Sequence, residues 1–270
     1  MERLRYWAFI FVFLIQLLLI SGCSVSTVEI GPKKEVNSYS EKTVEVKASP
    51  EVNMSCDSSN IEVYTWDKKD VKFEITKRVR GVQDKETLEK KLEDFKIDLS
   101  EKDNKVFFKS EYRGKDKNPV DRSVDIRVYL PKSVKLLNCK LDIGNIKFLD
   151  DISGVLNADI NMANMEINRF DGIINVKGDV GNVKISNGRI LGKSSIVKNI
   201  GSISIKAEFK ENGEYFFKTE TGNIDLWLPQ NSKISFESVG SLEVNEFNEY
   251  LYPTKVKVST SMGKIAIKKY

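Results

Sequence analysis

Histidine is absent from this sequence of 270 residues. Without histidine, no Ser-His-Asp or Cys-His arrangement can form, and no zinc or iron site can use a histidine ligand. Catalysis would have to use carboxylates, lysines, tyrosines or Ser-Lys pairs. The absence excludes most familiar hydrolase mechanisms, and we expect a protein that is not an enzyme and that binds no metal ion or cofactor.

A strong excess of charge of one sign is also missing. The formal net charge is +4, and removing residues 1–22 leaves +3, because Arg3, Arg5 and Glu2 are lost. Nucleic-acid binding needs a concentrated basic stripe, whereas acidic and basic residues are interleaved along this chain. We therefore expect no nucleic-acid partner.

Cysteine is scarce, with only Cys23, Cys56 and Cys139. Cys56 and Cys139 each share the alternation of neighbouring apolar residues, and a free cysteine in such a row behaves as a small hydrophobic residue. We favour two buried thiols. A Cys56–Cys139 disulfide stays open, because an exported chain can hold one.

One long apolar run occurs, from Trp7 to Ile20, and only Gln16 interrupts it. Arg3 and Arg5 precede it, as in a secretory signal. It closes with Leu-Ile-Ser-Gly-Cys at residues 19–23, which resembles the lipobox of bacterial lipoproteins. The resemblance implies cleavage before Cys23, a lipid on its thiol, and a position on the extracytoplasmic face of the cell membrane.

An uncleaved transmembrane anchor is the alternative for the same run. A span needs about 20 apolar residues, and the run from residue 7 to residue 20 is short for that. Both interpretations place the bulk of the chain outside the membrane. We predict a signal peptide at residues 1–22, a lipidated tether at residues 23–42 and a folded domain at residues 43–270.

Most of the domain shows the alternation of β-strands. One segment departs from it, because Leu88, Leu92 and Phe95 have helical spacing and Asp84 can cap the first turn. This pattern predicts one short accessory helix near residues 84–95.

A repeat begins at residue 141. Each copy is glycine, a small or polar residue, and then two apolar residues separated by one position. The glycine positions are 144, 181, 201, 222, 240 and 263, and Ala163 takes the same place in a further copy. Ser59 begins an early copy. Glycine suits the corners because it accepts positive φ.

The spacing of about twenty residues favours stacked coils, because a single unit cannot bury its apolar row. A second turn signal lies nine residues before most of the repeat glycines, so each unit has two corners and two short strands. We predict an all-β fold, namely a flattened two-sheet β-solenoid with coils of about 20 residues and one short accessory α-helix.

Strands ending in Leu-Pro at residues 130–131 and 228–229 precede repeat units. Together with the repeat, they resemble a bacterial family of β-strand-repeat domains of unknown function labelled putative adhesins. The likeness covers residues 43–270. It implies the fold. The lipobox, the tether, the repeat and the missing catalytic constellation together lead us to expect a non-enzymatic, adhesin-like binding module of the cell envelope, with an envelope protein or a polysaccharide as partner.

Three aromatic residues are the candidate binding residues. Alternation points Tyr64 and Trp66 away from Ile61 and Val63, and it points Trp227 away from Leu226 and Leu228. Exposed aromatic side chains could stack on sugar rings or enter a lipid headgroup layer. Alternatively, the accessory helix or another strand layer covers them.

Two other functions stay open. An envelope-stress sensor binding a cationic peptide or lipid would carry a negative or amphipathic patch on one flank. A polysaccharide-acting β-helical enzyme would use paired carboxylates, and the repeat places only Asp225 and Glu243 as neighbouring acids, one coil apart.

The lipobox predicts that a Cys23→Ser variant expressed in a bacterium loses both labelled palmitate and its place in the membrane fraction. Cys56→Ser is the matched control and should keep the label. A wild-type chain that stays in the membrane unlabelled and uncleaved would indicate the transmembrane anchor instead.

Overall fold

The computed structural model describes residues 32–115, 121–247 and 251–270, and Lys33–Tyr270 form one compact unit. The predicted signal peptide and Cys23 lie outside the described residues. Within the described ranges, no helix has the length and hydrophobicity needed to cross a bilayer.

The unit consists almost wholly of β-strands, which confirms the predicted all-β class. The strands before the repeat are β1 Lys34–Glu45, β2 Glu51–Trp66, β3 Asp70–Gly81, β4 Phe95–Lys102, β5 Lys105–Tyr112 and β6 Asp121–Pro131. The remaining strands are β7 Leu136–Val180, β8 Val183–Ile185, β9 Gly188–Ile190, β10 Lys193–Ile200, β11 Ile203–Lys206, β12 Glu208–Phe209, β13 Glu214–Thr221, β14 Ile224–Leu228, β15 Ser235–Asn245 and β16 Lys255–Lys269.

The predicted helix is confirmed as α1, Lys85–Glu93. The Asp84 carboxylate caps it by accepting the Thr87 backbone N–H at 2.8 Å. Leu88 and Leu92 are buried, and the helix packs against β1, β3 and β4. It ends earlier than predicted because the chain becomes extended at the buried Phe95, where β4 begins.

β1 begins at Lys34, inside the segment predicted as tether. It pairs antiparallel with β3 along its whole length, from Lys34 opposite Gly81 to Glu45 opposite Asp70. Its only fully buried side chain is that of Val36. This edge strand therefore depends on backbone pairing with β3 and carries almost no apolar pattern.

The sheet order is β1-β3-β6-β2-β7-β10-β13-β16-β14-β11-β8. β1, β3 and β6 pair antiparallel, whereas the pairs from β6–β2 onward along this order are parallel. The β4–β5 hairpin joins β2 through β5. Antiparallel strands thus lie at one end of a parallel series.

β7 is a folded run of 45 residues. It bends at Gly144, Gly154 and Gly172, whose φ angles are 136°, 123° and 159°. Asn157 contacts Asn138, and Asn164 contacts Asn145, each 19 residues earlier. The run therefore coils, so that each segment lies beside the segment one repeat earlier.

Parallel pairing continues the same register through the following repeats. Inward residues pair in the row Ile167, Ile185, Ile205, Leu226 and Ile267, each opposite its counterpart in the next strand. All five are buried. Equivalent apolar positions of successive repeats therefore form one continuous core.

The last two repeats do not stack in chain order. β16 pairs with β13 and β14 on one side and with β15 on the other. Thus β16 lies between β14 and β15, and β15 forms an edge with mostly exposed side chains. Sequence spacing could not show this order, because β15 and β16 carry the same motif.

One lysine among the described residues is buried in the core. Lys198 is 1 % exposed, lies opposite Gly178, and donates through Nζ to the Ile160 carbonyl oxygen at 3.4 Å. Burial lowers the pKa of Lys198 to about 8, and nearby Asp179 opposes this shift. The absence of a side chain at Gly178 leaves room for the ammonium group.

Replacing Lys198 with methionine should stabilise the fold at neutral pH. A folded-state pKa of about 8 lies below the ordinary 10.5, so the unfolded chain binds the proton more tightly and protonation favours unfolding. The gain at pH 7 should approach about 3 kcal/mol and shrink to about 1 kcal/mol at pH 10.

Denaturant midpoints at both pH values measure this effect. Lys184→Met, at an exposed position, is the matched control and should show no such trend. A gain that is the same at pH 7 and pH 10 would contradict the ionisation argument and indicate a packing effect alone.

Candidate functional site

A groove of about 720 Å³ crosses the outward face of β5, β2, β7 and β10. A row of amide side chains runs along it, and we call it the amide groove. Its main lining residues are Asn53, Asn138, Asn157, Asn175, Ser195, Phe107, Lys109, Lys140, Asp159, Lys177, Val197, Asp98 and Ser100. None of the predicted binding residues Tyr64, Trp66 and Trp227 lies in it.

The amide row is one hydrogen-bonded chain. Asn138 donates to Asn53 at 2.7 Å, Asn157 donates to Asn138 at 3.0 Å, and Asn175 donates to Asn157 at 3.1 Å. The Ser195 hydroxyl then donates to Asn175 at 3.2 Å. All five side chains are half-buried.

Strand alternation turns these amides outward. Each asparagine lies between two buried residues, as Asn138 lies between Leu137 and Cys139. Parallel register then stacks the amides of successive repeats side by side. The sequence contained a signal for this row, because each of these positions lies six residues before a repeat corner.

The second outward row of the groove mixes charges. Lys177 pairs with Asp159 at 3.0 Å, and Lys109 pairs with Glu111. The β4–β5 hairpin forms one wall, where Phe107 lies opposite Asn53 in the β2–β5 register. Phe107 is 45 % exposed, which is high for an aromatic residue in a strand.

The predicted aromatic residues Tyr64 and Trp66 lie together on another outward surface. Both stack on Tyr129 of β6, with ring centroids 5.2 Å and 5.1 Å apart. The Trp66 indole N–H donates to the Asp70 carbonyl oxygen at 3.0 Å. Sequence reasoning missed Tyr129, although it has the same alternation as Tyr64.

Lysines cover part of this aromatic cluster. The Nζ atom of Lys68 lies 4.6 Å from the Trp66 ring, and that of Lys72 lies 4.7 Å from the Tyr129 ring. Burial raises the pKa of Tyr64 and of Tyr129. The three rings are half-buried, so mutual stacking and lysine side chains cover them.

Trp227 lies apart from this cluster. It is half-buried on β14, with the Lys268 Nζ atom 5.7 Å from its ring. Five strand spacings separate it from Tyr64, which corresponds to roughly 24 Å. The structure therefore places two of the predicted aromatic residues together and the third elsewhere.

The acidic pair proposed for an enzyme is not formed by adjacent strands. Asp225 of β14 lies opposite Ala266 of β16, and β15, which holds Glu243, pairs with the far side of β16. Glu243 instead accepts from Lys264 at 2.8 Å. Burial raises the pKa of Asp225, Lys268 opposes this, and Glu243 adds to it.

The two core cysteines are free thiols, as favoured from the sequence. Cys139 lies opposite Met54, and Cys56 lies opposite Leu141. Burial raises the pKa of both thiols, that of Cys56 to about 12. Within the described ranges, no group of three or more acidic or cysteine side chains could hold a metal ion.

The structure also shows a row of exposed apolar side chains along one corner, which we call the apolar ladder. It consists of Ile143, Met162, Val180, Ile200 and Met262, and all of them are exposed. Register pairs Val180 with Ile200, and Thr221 lies between Ile200 and Met262. Each residue directly precedes a repeat corner, a regularity that sequence reasoning missed.

No family model matches the chain, and no curated protein matches it either. Solved structures with a related arrangement are named as putative adhesins or cell adhesion proteins, as the resemblance of the repeat led us to expect.

One is a putative cell adhesion protein from Clostridium sporogenes, with 15% identity, a TM-score of 0.38, and coverage of 87% of this chain and 100% of that one. Another is a putative adhesin from Bacteroides fragilis, with 16% identity, a TM-score of 0.36, and coverage of 86% and 97%. A third, from Parabacteroides distasonis, is named a putative lipid binding protein and is 11% identical, with a TM-score of 0.37 and coverage of 86% and 97%. Structural similarity at such low identity and TM-score does not indicate a ligand or an activity for this chain.

Proposed function

We propose that this protein is a non-enzymatic, adhesin-like binding module of the cell envelope. In this proposal, a lipid on Cys23 anchors it to the extracytoplasmic face of the cell membrane, and the amide groove holds another envelope component. The groove is the observation that carries the proposal, because it combines a large concave surface with an ordered row of polar groups.

The proposed scaffold is a β-solenoid. β9 pairs in parallel with β7 and β12, so these coils have a third short strand in addition to the two that the sequence predicted. The parallel registers from β7 to β16, the bends at the corner glycines and the continuous inward row support this description. Such a scaffold keeps outward side chains of successive repeats at one fixed spacing. It thereby gives the groove a rigid floor.

Two observations speak for binding without catalysis. The sequence contains no histidine, and β16 separates the strands of Asp225 and Glu243.

The apolar ladder favours a second candidate function, the binding of a cationic amphipathic peptide by an envelope-stress sensor. Asp142 and Asp179 directly precede the ladder residues Ile143 and Val180. Glu220 precedes Thr221, which lies between Ile200 and Met262, so acidic side chains run beside an exposed apolar stripe. An amphipathic peptide matches both features. The groove and the ladder are separate surfaces, so the two functions can be tested independently.

The chain from Ser24 onward, immobilised and exposed to an envelope extract, should retain a component through the groove. Phe107→Ala and Asn157→Leu should each lower the retained amount several-fold, because they remove lining contacts without touching the core. Asn164→Leu is the matched control, since Asn164 belongs to a corner amide row outside the groove. Equal retention by all variants would refute groove binding.

For the second candidate, fluorescence anisotropy with a labelled cationic amphipathic helical peptide is the direct measurement. Ile200→Ser should weaken binding about fivefold through lost apolar burial, and Asp179→Asn should weaken it mainly at low salt. Leu149→Ser, at an exposed apolar position in another row, is the control. Equal affinity of the Ile200 and Leu149 variants would exclude the ladder as the binding surface.

A further inference from the structure

We propose that the ligand of the amide groove is an uncharged polysaccharide, lying across the strands along the row from Phe107 to Ser195. This inference rests on the proposed function and specifies the class of its ligand.

The amides retain unused hydrogen-bonding capacity. An asparagine side chain has two N–H donors and an oxygen with two lone pairs. Asn138 and Asn157 each use one N–H and one lone pair within the row, and no other partner is found among the described residues. Each therefore has one donor and one acceptor available toward the groove.

Sugar hydroxyls match this pattern because each hydroxyl both donates and accepts. Asn175 is bonded in the same way as Asn138 and Asn157 are. The free groups therefore recur at three successive strands, about 4.8 Å apart, so a polymer with repeated hydroxyls can make the same contact several times. From Asn53 to Ser195 the row covers four strand spacings, roughly 19 Å. An extended chain of several sugars fits this arrangement better than a single small molecule does.

Phe107 provides an apolar surface at one end of the row. Its ring is 45 % exposed and lies opposite Asn53, the first amide of the row. Carbon-bound hydrogens on the face of a sugar can pack on an aromatic ring. The hydroxyls on the edge of the same sugar can then hydrogen-bond to the neighbouring amides. A flat aromatic residue beside planar amides is the combination expected for sugar rings.

The charges around the groove favour a neutral ligand. The amide row itself is uncharged, Lys177 is paired with Asp159, and Lys109 is paired with Glu111. The remaining lining charges are Lys140 and Asp98, which have opposite signs. An anionic polymer would find no concentrated positive stripe here.

The strand geometry disfavours an extended peptide. A peptide that adds to a sheet uses free backbone N–H and C=O groups at an edge strand. The floor of the groove is formed by β2, β7 and β10, which are paired on both sides. It therefore offers side chains and no free strand edge.

Affinity electrophoresis of the chain from Ser24 onward, in gels containing hydroxyethyl cellulose, dextran or polygalacturonate, tests this ligand class. We expect retardation by at least one neutral polymer, unchanged at high salt. Phe107→Ala should weaken it about tenfold, and Asn157→Leu should weaken it several-fold. Asn164→Leu is the control and should bind as the wild type does.

The outcomes separate this inference from the proposed function. Retardation only by polygalacturonate, lost at high salt, would overturn the neutral-polysaccharide assignment, as would no retardation by either neutral polymer. If groove variants still reduced retention from an envelope extract, the binding role would stand with a different ligand. If neither assay responded to the groove variants, both proposals would fail.

Discussion

Parallel, in-register stacking of the repeats is the constraint on which the rest of the structure depends. At the corners the backbones of successive repeats touch directly. At Gly222, with φ of 145°, a Cβ atom would collide with the Gly201 carbonyl oxygen. Close approach at the corner lets every following position face its equivalent in the next repeat. Inward rows therefore become core, and outward rows become aligned surface rows such as the amide row.

Much of this architecture could be predicted from particular residues. The glycine spacing and the apolar pair that follows each glycine identified the repeat, and Ser59 does lie opposite Gly144 as the early copy requires. Asp84, Leu88 and Leu92 identified the helix. These features are local, because each depends on alternation or capping within a few residues.

Features that depend on long-range pairing could not be predicted in this way. β1 is held by β3 and has almost no apolar alternation, so its sequence looks like a tether. Asp225 and Glu243 seemed adjacent because chain order was taken as stacking order. The amide row could have been predicted from the six-residue spacing, but asparagine is typical of turns, so its place within a strand gives no local signal of a binding surface.

The place of β16 has a consequence for how the molecule assembles. β15 precedes β16 in the chain, yet its only strand partner among the described residues is β16. During synthesis or export, β13 and β14 each have an unpaired edge until residues 255–269 are available to pair with them. β15 is unpaired during the same interval. Closure of this half of the sheet is therefore a late and non-local step, because pairings such as Ile224 to Ile265 join residues on either side of the segment that contains β15. During that interval the open edge is vulnerable to pairing with another chain.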